Sequence, residues 1–127
     1  MIRQQFNIEN YWKVIVYYNL DYNFFNLASY DLSLLGFPIW SVRKILWLFL
    51  KKKIKAVTCT NSLKHTSIVL ISIHQDVGDF LNSIIHEAEH VKQVMLEAYS
   101  VKDAGEPPAY TIGYLVKRMY DVFKSLI

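Results

Sequence analysis

Val77-Gly78-Asp79-Phe80-Leu81-Asn82-Ser83-Ile84-Ile85-His86-Glu87-Ala88-Glu89-His90-Val91 carries the reading of the fold. Asp76 and Asp79 form an N-terminal helix signal resembling a capping box, with an acid in the first turn. Val77, Phe80, Leu81, Ile84, Ala88, Val91, Met95 and Ala98 then recur at helical spacing and define one buried face. Asp103-Ala104-Gly105 stops this helix. Pro107 opens a second one, whose apolar stripe runs Ala109, Ile112, Val116, Met119, Phe123. So short a break favours two antiparallel neighbouring helices.

Working upstream, Thr66 to His74 and Ala56 to Thr60 read as strands joined through Asn61-Ser62-Leu63-Lys64-His65, an antiparallel hairpin. Pro38 precedes a helix in which Ile39, Val42, Leu46 and Phe49 share a face and which ends near Lys51-Lys52-Lys53. Asn19 to Ser33 mixes aromatics with Asp21, Asn23, Asn26 and Asp31 and reads as a loop with a helical turn at most. Trp12 to Tyr18 is β-branched and aromatic, a strand. The expected order is β-α-β-β-α-α: an α+β domain spanning residues 1–127, with helices against a small antiparallel sheet.

Composition agrees with one folded domain. The chain has 127 residues, 53% of them hydrophobic and 20% charged, which excludes general disorder. A net charge of +3 is too mild to argue for a nucleic-acid partner, and the lysine run reads as the solvated end of a helix. Residues 34–50 are broken by Gly36, Pro38, Arg43 and Lys44, so no membrane partner is expected. No apolar leader core follows Met1 and Cys59 stands alone, so a cytoplasmic protein without a cysteine-based zinc site is expected.

His86-Glu87-Ala88-Glu89-His90 fits the pattern H-E-x-x-H. Residues four apart on a helix sit one above the other, so both histidines can offer a ring nitrogen to one Zn2+ ion. Glu87, rotated by about 100°, can reach a water as general base. The histidines lie opposite the centre of the apolar stripe. They are either surface residues of an ordinary amphipathic helix or ligands covered by the returning final helix. Zinc also wants a third protein ligand. Glu106, sixteen residues after His90, is the leading candidate, with capping of the final helix as its other role; Asp103 and Glu97 follow. Tyr110 and Tyr114, one turn apart, are candidates for stabilising an oxyanion. His74 reads as structural and His65 as an exposed turn residue.

Ile84 to Val91 together with Gly105-Glu106-Pro107-Pro108-Ala109-Tyr110 and Gly113-Tyr114-Leu115-Val116 resembles the small gluzincin-like metallopeptidases, including short ones of phages and mobile elements. The resemblance covers roughly residues 66–120. It implies zinc held by His86, His90 and Glu106, with Glu87 activating water to hydrolyse peptide bonds of a peptide or protein substrate. Thr66 to His74 is the expected edge strand for that substrate. The alternative is a non-catalytic zincin-like protein, its metal site vacant or structural, acting by protein-protein contacts.

Overall fold

The computed structural model describes residues 1–127. A hairpin opens the chain: β1 (Ile2–Ile8) runs antiparallel to β2 (Trp12–Leu20), with Glu9 in the left-handed region at the turn. Two helices follow, α1 (Phe25–Leu34) and α2 (Ile39–Leu50). The hairpin β3 (Ala56–Asn61) and β4 (Thr66–Ser72) leads into α3 (Val77–Ala98) and α4 (Glu106–Phe123).

The four strands lie in the order β1-β2-β4-β3. The expected α+β fold is present, but the sheet is mixed and not purely antiparallel, because β2 and β4 run parallel, Val16 opposite Val69. The reason is visible in their composition. Val14 to Tyr18 and Ile68 to Ile71 are unbroken apolar runs, as suits strands covered on both faces. Val14, Val16, Tyr18, Val69 and Ile71 point to a core shared with α3 and α4. Ile15, Tyr17, Ile68 and Leu70 point to a second core under α1 and α2. The sheet is therefore the middle of three layers.

Two elements go beyond the sequence expectation. Strand β1 is diluted by Arg3, Gln4, Gln5 and Asn7, yet Phe6 and Ile8 reach the core and the strand closes one sheet edge. The segment expected as loop forms α1. Asp31, an apparent helix interruption, is buried there and accepts hydrogen bonds from Tyr17 Oη and from Arg3 Nε at 2.9 Å. With that charge satisfied by partners distant in sequence, Ala28 and Leu32 can bury against the sheet.

A further correction concerns the sheet edge. Thr66–Ser72 is an interior strand, and the free edge beside α3 belongs to β3. Asp76 caps α3 as expected, accepting from the Asp79 amide at 2.9 Å.

Candidate metal and peptide site

Helix α3 rests on β3 and β4 through Ile84, Glu87, Ala88 and Val91, while His86 and His90 emerge on its outer flank. Their Nε2 atoms approach to 3.1 Å, with the rings nearly perpendicular at 80°. Two ligands of a tetrahedral ion with bonds of about 2.0–2.1 Å would have nitrogens roughly 3.3 Å apart. The separation is that of a hydrogen bond between the two rings, and it is also close to the spacing two ligands of one ion would need.

Below the histidines a groove of about 300 Å³ runs between α3 and the free edge strand. Ala56, Val57, Thr58 and Thr60 form one wall; His86, Glu87, His90 and Val94 form the other. Glu87 is only 5% exposed, and no cation pairs with it. Thr58 Oγ1 donates to Glu87 Oε1 at 2.9 Å and lies 3.4 Å from the Glu87 carbonyl oxygen, which locks the carboxylate against β3. The charge is felt through the strand. The Cys59 thiol is pushed up to about 11, first by burial and then by the negative charge of Glu87.

Helix α4 does not cover this flank. Lys92, roughly 200° round the helix from His90, marks the side that faces the α3–α4 connection. Its ammonium pairs with Asp103 at 2.9 Å and with Glu89, and these acids raise its pKa. Glu106 is exposed as the first residue of α4, after Gly105 at φ 79°, and the proline pair follows it in the first turn. It has the position of an acid at a helix N-terminus, favoured by the helix dipole. Nowhere do three His, Cys, Asp or Glu side chains come together to hold a metal ion, so the structure does not bring Glu106 to the two histidines. Asp103 is taken by Lys92. Glu97 shares the histidine flank but lies about 10 Å further along the helix.

The tyrosines likewise stand away from the histidine groove. Tyr114 Oη donates to the Asn7 carbonyl at 3.2 Å and accepts from Arg118 Nη1 at 2.9 Å, pinning α4 to β1. Tyr110 is 66% exposed on the same helix. Neither lines the histidine groove. His74 is structural, bonded to the Ser72 carbonyl at 2.9 Å and to Ser83 Oγ at 2.8 Å. His65 stacks on Trp12 with ring centroids 5.4 Å apart.

Thr58 is the site residue the sequence reading missed. Its signal was the alternation Ala56, Thr58, Thr60, which places small and polar groups on one face of an otherwise apolar sheet. Comparison with protein-family models, curated proteins and solved structures finds no match.

The donor set fits zinc in part. Two imidazole nitrogens lie at a spacing compatible with one ion, a carboxylate stands one residue away, and further coordination positions would fall to water or to a bound peptide.

Proposed function

We propose that the chain is a metal-dependent peptidase built on His86, His90 and Glu87, acting on an extended peptide laid along β3. The observation that carries this reading is the approach of the two Nε2 atoms to 3.1 Å over a groove that also contains Glu87 and a free strand edge. Zinc, when bound, supplies a water of lowered pKa and polarises a carbonyl. The chain's own residues do the rest. The outer N–H and C=O groups of β3 pair with a substrate backbone, which fixes its register with little demand on its side chains. Thr58 holds one carboxylate oxygen of Glu87 and so orients the other. Glu87 takes a proton from water and returns it to the departing amine.

The absence of a third protein ligand favours a second reading, in which the same groove binds peptide without hydrolysing it. One experiment separates them. Zinc content and peptide hydrolysis are measured for the wild type, His86→Ala and Glu87→Gln. The peptidase reading expects zinc in the wild type and Glu87→Gln only, with hydrolysis reduced at least about 10²-fold by Glu87→Gln. Peptide binding that is unchanged by chelation and by His86→Ala, with no hydrolysis, would establish the second reading.

A further inference from the structure

The charges of this chain are segregated. Residues 32–75 contain seven Lys and Arg and no Asp or Glu, although the whole chain has fourteen cations and eleven acids. Lys64 is occupied, its Nζ donating to the Leu34 carbonyl at 2.9 Å. The other six, Arg43, Lys44, Lys51, Lys52, Lys53 and Lys55, lie on α2 or just beyond it, and none pairs with a carboxylate. The eight acids from Asp76 to Asp121 all follow β4, on α3, on α4 or beside them. The chain after β4 holds these eight acids with five cations, and Asp21, Asp76 and Asp79 share a cleft with Lys52 and Lys55; α2 itself and its C-terminal end carry only cations.

The cationic face is also apolar. Val42 and Phe49 bury against the sheet. At about 100° per residue, Leu50, Arg43, Trp47, Trp40, Lys51 and Lys44 then fall in one arc of roughly 120° on the outer side of α2. Trp40 is 69% exposed, Trp47 52% and Leu50 50%. The neighbouring helix α1 adds a stripe of Leu27, Tyr30 and Leu34, all exposed. Indoles and aliphatic side chains interleaved with unpaired lysines match a membrane interface. There the rings sit at headgroup depth and the ammonium groups meet lipid phosphates.

We propose that the α1–α2 face docks on an anionic lipid bilayer, with α2 lying flat on it. Three arguments select this occupant. Pairing with the same face of a second copy would oppose Arg43, Lys44 and Lys51 to the same three cations. A nucleic acid would neutralise the lysines but leave Ile39, Leu34 and Leu50 in water. An anionic bilayer satisfies both the charge and the apolar surface. No helix is long and apolar enough to cross a membrane, so the contact is peripheral. The sequence expectation of no membrane partner rested on the lack of a spanning segment. The fold adds an interfacial surface that such a search does not detect. The histidine groove lies on the opposite face of the sheet and stays open when α2 is docked.

The test uses the full chain with vesicles of phosphatidylcholine alone or mixed with phosphatidylglycerol, read by flotation and tryptophan emission. Binding should be at least about tenfold tighter to the anionic vesicles, weaken with salt, and shift tryptophan emission to the blue. The double variant Trp40→Ala, Trp47→Ala should lose the blue shift. The triple variant Lys51→Glu, Lys52→Glu, Lys53→Glu should lose the preference for anionic vesicles. Lys117→Glu on α4 should change neither, and circular dichroism should show each variant folded. Equal or absent binding to the two vesicles would overturn the proposal. So would binding to an oligonucleotide duplex as tight as to anionic vesicles, or concentration-dependent self-association without vesicle binding.

Discussion

Thr58 on the edge strand donates a 2.9 Å hydrogen bond to the buried carboxylate of Glu87 on α3, and this contact ties the free sheet edge to the H-E-x-x-H helix. A carboxylate with 5% exposure and no cation partner depends on its hydrogen bonds. Thr58→Val keeps the shape and removes the donor. It should cost about 1–3 kcal/mol in urea unfolding, whereas Thr58→Ser should cost less because it restores the hydroxyl. Equal stability of the wild type and Thr58→Val would show that Glu87 is satisfied by other means.

The proposed zinc pair makes a second prediction. Alanine at His86 or at His90 should abolish tight zinc binding, because one imidazole alone does not chelate. Glu106→Ala should leave zinc affinity within about twofold of wild type, since Glu106 stands exposed at the start of α4. Isothermal titration of the three variants decides the point. A large loss with Glu106→Ala would restore it as a ligand.

Cys59 gives a third, through pH. Its thiol is raised from 9.0 to about 11 in the folded protein, chiefly by burial. The unfolded chain therefore releases this proton first. The contribution is complete below about pH 9 and is lost as pH rises from there to about 11. Two pH units correspond to at most about 3 kcal/mol. Unfolding curves of the wild type and Cys59→Ala at a series of pH values should diverge in slope only across that window. Parallel curves throughout would contradict the burial argument.

The cluster around Asp31 supplies a fourth prediction. Tyr17 and Arg3 both donate to this carboxylate, and its acceptance of the phenol proton together with burial holds the Tyr17 pKa up. Asp31→Ala would leave a buried hydroxyl and a guanidinium without their acceptor. It should destabilise the fold by about 3 kcal/mol. Loss of helical signal confined to α1 would locate the damage, and an unaltered midpoint would argue against the cluster as the reason α1 forms.

What the sequence determined by itself was local. Helices α2, α3 and α4 and the β3–β4 hairpin follow from apolar periodicity, the Asp76 cap and Pro107, which act within a few residues of chain. The four-residue spacing of His86 and His90 required only a helix to stack them. Three features required the tertiary structure. Asp31 reads as a helix interruption until Arg3 and Tyr17 are folded onto it. The parallel pairing of β2 and β4 joins residues about fifty positions apart, such as Val16 and Val69; their unbroken apolar runs indicate burial on both faces but do not specify the partner or its direction. That Glu106 is not brought to the histidines has a related reason. A short turn after α3 makes α4 antiparallel without specifying which flank of α3 it packs on. That choice was made by contacts far from the turn, Tyr114 to Asn7 and Gln4 to the Arg118 carbonyl, which draw α4 over β1 and away from the histidines.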